Sequence, residues 1–162
     1  MSVCLRIAAL TVASALAGAH ISAQSASRDQ MRTDLTAELE KYVTAFSQGR
    51  VDFIADSVYT APAYFFGGGR VDVRMTRDDV MSRFEDMWAP LPAQGYDRSE
   101  IRGSDVCILN NSAALVTLEF ARLGRDGSVI SEGSAIYFYA RTEQGWRIIS
   151  SIGSGPRIEC GD

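Results

Sequence analysis

The sequence predicts an α+β domain in which helices cover one face of an antiparallel sheet. Two observations carry this. From Arg98 to Gly155 the chain reads as consecutive long strands separated by compact turn signals, closing on Gly145-Trp146-Arg147-Ile148-Ile149. Ahead of that stretch, apolar residues recur at helical spacing.

The first helical pattern places Leu35, Leu39, Tyr42, Val43 and Phe46 on one face and Glu38, Glu40 and Lys41 on the other. Thr33 or Asp34 caps its start and Gly49 ends it. A short second helix is expected at about Asp52–Val58, with an acidic N-terminus that complements the helix dipole. Ala63–Phe66 and Arg70–Arg74 read as short strands joined across Gly67-Gly68-Gly69. That triple glycine lacks the Gly-Lys-Ser/Thr ending of a phosphate-binding loop. Thr76 reads as the N-cap of a third helix carrying Val80, Phe84, Met87 and Trp88 on one face, and Pro90 and Pro92 stop it. The long strands then run from Ile101 to Leu109, Ala113 to Leu123, Val129 to Arg141 and Trp146 to Ile152, with a strong hairpin signal at Gly124-Arg125-Asp126-Gly127.

The 162 residues fit one domain plus an extension, and 46% apolar content is enough to bury a core. A net charge of −4, with Lys41 the sole lysine and the arginines scattered, argues against nucleic-acid binding. Residues 1–23 read as a signal peptide. Arg6 forms the short positive region, Ile7–Ala17 the apolar run, and Ile21-Ser22-Ala23 the favoured cleavage site, with Ala17-Gly18-Ala19 as the alternative. The product is therefore expected to be exported, periplasmic or secreted, with no membrane span after cleavage. Residues 24–33 read as a flexible lead-in, 34–155 as the domain and 156–162 as a tail. Export permits disulfides. Cys107 and Cys160 either bridge the tail to a strand or remain a buried and a free thiol. Neither lies in a redox motif.

Tyr42-Val43-Thr44-Ala45-Phe46-Ser47-Gln48-Gly49-Arg50-Val51-Asp52, the helix entry Met75-Thr76-Arg77-Asp78-Asp79-Val80 and the last strand Gly145-Trp146-Arg147-Ile148 resemble the nuclear transport factor 2-like (NTF2-like) superfamily. This superfamily includes ketosteroid isomerases, scytalone dehydratases and SnoaL-like polyketide cyclases. The resemblance covers roughly residues 34–154. It implies a cone-shaped domain, a curved antiparallel sheet packed against three N-terminal helices, with a pocket inside the wide mouth. It also implies a possible homodimer through the outer face of the sheet.

Candidate chemistry is narrowed by elimination. The only histidine, His20, belongs to the leader, so histidine-dependent triads and histidine metal sites are not expected, and no cofactor motif is present. The scytalone-dehydratase pattern is removed for the same reason. Proton transfer between a carboxylate and a tyrosine stays open, with Glu119 and Glu132 as strand carboxylates, but no catalytic set can be placed. The expected ligand pocket draws on Tyr42, Phe46, Tyr64, Trp88, Tyr96, Glu119, Phe120, Arg122 and Tyr137. Arg122 reads either as an anchor for an acidic or carbonyl ligand or as a cross-strand partner of Glu132. Whether Val116, Phe120 and Arg122 or instead Thr117 and Glu119 point inward depends on hairpin register. Three functions follow: an exported protein binding a small apolar or carbonyl-bearing ligand, an isomerase, dehydratase or cyclase, or a dimeric interaction module.

Overall fold

The computed structural model describes residues 12–153. Cys160, the tail over 156–162 and the start of the expected signal peptide lie outside the described residues. Helix α1 spans Val12–Ser47, so the stretch expected as a flexible lead-in is helical and continuous with the first amphipathic helix. Its side chains Leu35 and Leu39 are fully buried, and Tyr42, Val43 and Phe46 nearly so. The three-four spacing read from the sequence thus marks the stripe that meets the sheet.

Gly49 reverses the chain after α1. The next helical segment is short: α2, Val51–Phe53, runs into a single π turn at Ile54–Val58. Strands β1 (Tyr59–Gly67) and β2 (Arg70–Arg74) form the expected hairpin. Gly68 and Gly69 both have positive φ, 58° and 72°, as a tight two-residue turn requires. Helix α3 spans Arg77–Trp88 and begins with Thr76 and Asp79 capping one another reciprocally. Arg77 also reaches back to Asp56 at 2.7 Å, fixing α3 to the π turn. A 3₁₀ turn at Pro92–Gln94 leads into β3 (Tyr96–Asn110), β4 (Ala113–Gly124), β5 (Val129–Thr142) and β6 (Gly145–Gly153).

The expectation of three N-terminal helices over an antiparallel sheet is corrected in two ways. Of the helices, α1 is far longer than expected, starting at Val12, whereas α3 follows the first hairpin where its Thr76 cap placed it. The sheet is mixed: in the order β2-β1-β6-β5-β4-β3, the β1–β6 pair is parallel. The physical reason is that the first hairpin joins the far edge of the last strand, a long-range pairing that local patterns do not encode. Register shifts leave extra residues in β3 near Tyr96, Ile101 and Ile108, in β5 at Ile130 and in β6 at Ile149. Such irregularities bend strands and increase their twist, which curves the sheet around α1.

The end of α1 is hooked to the sheet by Ser47, whose hydroxyl accepts from the Ser99 amide at 3.0 Å and donates to the Val43 carbonyl at 2.8 Å. Further back, Arg32 donates to the Val106 carbonyl. Cys107 is disulfide-bonded.

Gly49 is constrained twice. Its φ is +66°, and a Cβ there would lie 2.7 Å from the Trp88 ring. Gly49→Ala should therefore cost about 2 to 3 kcal/mol in urea unfolding, through left-handed strain and displacement of an indole. Gly127→Ala meets the same kind of φ, +79°, in open space and should cost only about 1 kcal/mol. Equal losses at the two positions would show that the contact with Trp88 contributes nothing.

Candidate functional site

The curved sheet and its helices enclose a cavity of about 1010 Å³. Its walls come from four directions: α1 supplies Tyr42, Val43 and Phe46, α3 supplies Arg83, Phe84 and Met87, the first hairpin closes one rim, and β3–β6 form the floor. Side-chain orientation on the floor follows from register. Val116, Leu118, Phe120 and Arg122 lie on the inner face of β4, opposite Tyr137, Ala135, Gly133 and Ser131 of β5. Gly133 has a specific role here, because a Cβ at that position would come within 2.8 Å of the Phe120 ring. Its bare backbone lets that ring lie across the neighbouring strand.

Of the expected pocket residues, Tyr42, Phe46, Phe120, Arg122 and Tyr137 line the cavity. The other four are placed elsewhere. Tyr64 is 39% exposed on the outer face of β1. Trp88 packs beneath Gly49. Tyr96 is buried behind the wall, its hydroxyl 2.7 Å from the Ser99 hydroxyl. Glu119 points to the outer face, over Gly103. Tyr64 and Glu119 lie outside by strand alternation, which the sequence left open by one residue. Residues that sequence reasoning missed include Tyr59, Phe65, Asp72, Arg74 and Arg83. Alternation along Arg70–Arg74 gave a signal for Asp72 and Arg74 but not which face was covered.

Aromatic rings dominate the deep part. Tyr42 meets Tyr137 edge-on at 5.6 Å between ring centroids and Phe84 at 6.1 Å. Tyr59 stacks on Phe65 at 5.3 Å. Burial pushes the Tyr42 phenol up to about 12, partly offset by contacts from the Tyr137 and Tyr59 hydroxyls and by the positive charges of Arg122 and Arg83. Burial likewise raises Tyr59, Tyr137 and Tyr139, which neighbouring phenols reinforce. All four stay neutral, and hence remain donors, at any physiological pH.

Charge is concentrated at two places. On one side Asp72 receives Arg83 at 2.7 Å and Arg74 at 2.9 Å, and the Arg83 guanidinium sits 4.1 Å from the Phe65 ring centroid. On the other, Arg122 lies 5.5 Å from the Phe120 ring and 5.6 Å from that of Phe46. Its Nε is buried without a hydrogen-bond partner. Glu132 is not its cross-strand partner: Arg122 faces Ser131, whereas Glu132 faces Ala121 and is exposed at the cavity rim. Among the described residues, no group of three His, Cys, Asp or Glu side chains is arranged to hold a metal ion.

A long helix and a short one, a hairpin, a third helix and a bent sheet around an internal hollow define the NTF2-like class. Residues 33–156 match the model of the family described as NTF2-like protein (DUF6841), and the chain belongs to that family. Among solved structures it is similar to Aln2 from a Streptomyces species, with 13% identity over 77% of this chain and 90% of that one and a TM-score of 0.62. It is also similar to an NTF2-like protein with a cystatin-like fold from Novosphingobium aromaticivorans, at 12% identity over 90% of each chain and a TM-score of 0.61. A third is a Catenulispora acidiphila protein in complex with S-DNPA, at 16% identity over 77% of this chain and 94% of that one, with a TM-score of 0.60. At these identities the likeness is one of fold. No curated protein matches the sequence.

The raised phenols generate a pH dependence whose sign is fixed. A buried tyrosine with a folded-state pKa above its unfolded value of 10.0 contributes stability that is complete below that value. That contribution is lost as pH rises from 10.0 through the folded value, about 12 for Tyr42. Unfolding free energy should fall above about pH 10, each such group adding a slope of about 1.4 kcal/mol per pH unit. Tyr42→Phe should flatten that limb in denaturant titrations at stepped pH; an unchanged slope would mean that Tyr42 ionises as freely folded as unfolded.

Proposed function

We propose that this chain is an exported small-molecule-binding domain whose ligand occupies the cavity between α1, α3 and the inner face of the sheet. The supporting observation is the cavity itself. A volume of about 1010 Å³ walled chiefly by aromatic and aliphatic side chains suits a drug-sized apolar molecule, for which pockets span about 300 to 1,000 Å³. A pure interaction module would gain stability by filling such a space. The bound S-DNPA in the Catenulispora protein gives a precedent for a small ligand in this fold.

Proton-transfer catalysis as isomerase, dehydratase or cyclase is the weaker reading. The buried tyrosines are suitable hydrogen-bond donors, but the carboxylates on the cavity wall are Asp72 and Glu132. Asp72 is held by two arginines, which occupy its oxygens and leave none directed at a bound molecule. Glu132 is exposed at the rim, and Glu119 is outside.

Self-association through the sheet has its own support. Tyr64 faces Val73 on one side of the first hairpin, Phe66 faces Val71, and Phe66 and Ile152 are paired across β1 and β6. All five are large, exposed and on the outer face. Phe66 and Val71 of this stripe also border the cavity. Wild-type protein should be dimeric in light scattering and should enhance the fluorescence of neutral N-phenylnaphthylamine. Ala135→Phe, which projects a ring into the cavity opposite Leu118, should weaken dye binding about tenfold and remain dimeric. Tyr64→Glu should become monomeric and keep the dye. A dye response unaffected by Ala135→Phe would remove the cavity from the reading.

Export is supported by the leader pattern of residues 1–23 and by the disulfide at Cys107. In a host with a general secretory pathway, the product recovered outside the cytoplasm should begin at Gln24 by intact mass. Recovery only of the uncleaved chain from the cytoplasm would sink this part of the proposal.

A further inference from the structure

We propose that the cavity takes an aromatic carboxylate, with its carboxylate held by the Arg122 guanidinium between Ser99 and Ser131 and its ring against Phe46 and Phe120. This rests on the small-molecule-binding reading above and adds the chemical class of the ligand.

Arg122 is the one partly buried cavity cation that no carboxylate among the described residues satisfies, since Arg70, also without an ion pair, is exposed. Arg83 and Arg74 are both committed to Asp72. Arg122 has no ion-pair or hydrogen-bond partner among the described residues, and its Nε is sealed from solvent. A guanidinium drawn into an aromatic wall without an anion is costly, and supplying the anion recovers charge-assisted hydrogen bonds. The balance of charge points the same way. Arg70, Arg74, Arg83 and Arg122 line the cavity against Asp72 and Glu132, in a chain whose overall charge is −4.

Register supplies the neighbours. Ser99 of β3 and Ser131 of β5 stand directly opposite Arg122 on either side, and both line the cavity. Two small polar residues leave room beside the guanidinium where bulkier residues would fill it. Tyr96 positions one of them, through the 2.7 Å contact between its hydroxyl and that of Ser99. With Nε enclosed, the two terminal nitrogens form the end that faces a ligand. A two-nitrogen end matches the two oxygens of a carboxylate. A single unpaired guanidinium suits a monoanion better than a phosphate dianion. The Phe46 and Phe120 rings that flank Arg122 offer apolar faces for the remainder of the molecule.

The test uses an isosteric pair, naphthoate and acetonaphthone, which share a ring system and differ in charge, titrated calorimetrically at neutral pH. Wild-type protein should bind naphthoate about tenfold more tightly, as a hydrogen-bonded charge requires. In Arg122→Met the ratio should fall to about one. Ser131→Asp, which places a carboxylate beside Arg122 without removing it, should abolish the preference as well and covers the case in which the methionine variant does not fold. Equal affinity of wild type for the pair, or a preference that survives Arg122→Met, overturns the proposal. If N-phenylnaphthylamine binds while that preference is absent, the cavity reading stands and only the anion is wrong. If neither naphthalene nor the neutral dye binds, the cavity reading itself fails.

Discussion

Everything in this structure depends on how α1 lies against a sheet that bends away from it. Leu35 and Leu39 make full contact with the sheet, and Ser47 pins the last turn to β3. Toward the C-terminal half of the helix the facing residues become rings, Tyr42 and Phe46, that meet other rings edge-on. Edge-on aromatic contacts hold centroids about 5 to 7 Å apart, farther than aliphatic side chains interdigitate. Combined with irregularities in β3, β5 and β6, this spacing props the helix off the floor. The cavity is therefore a product of ring geometry and strand irregularity acting together.

That arrangement has a cost that the polar groups reveal. Tyr139 is almost fully buried and its hydroxyl lacks a partner, as do the indole nitrogen of Trp88 and the Nε atoms of Arg83 and Arg122. Each such group costs about 1 to 3 kcal/mol when left unsatisfied. A fold optimised for stability alone would replace several of them with apolar side chains. Three of the four belong to the cavity wall or to the layer just behind it. Keeping polar atoms there makes sense where a ligand has to be recognised by more than its shape.

The two sides of the sheet differ in character. The inner face carries rings and cations around a hollow. The outer face of the β2-β1-β6 edge carries Tyr64, Phe66, Val71, Val73 and Ile152 in register. One strand thus contributes to both faces, Phe65 inward and Tyr64 outward. Asp72 and its two arginines stand at the same edge and fix the hairpin to α3.

Local signals in the sequence were sufficient for the elements themselves. The Leu35-to-Phe46 stripe, the Gly68-Gly69 turn, the Thr76 cap and the four long strands are each short-range patterns, set by helical period, by positive φ and by alternation. The family resemblance was legible for the same reason, since its motifs are these local ones. Membership of the cavity wall was legible only in part. Tyr42, Phe46, Phe120, Arg122 and Tyr137 carried suitable chemistry at inward positions, but Glu119 and Tyr64 differ from them by strand parity alone, which a one-residue change of register inverts. The parallel pairing of β1 with β6 joins segments far apart in the chain, and no local pattern encodes it. That pairing, with the irregularities that curve the floor, sets which residues face the hollow, Arg122 among them.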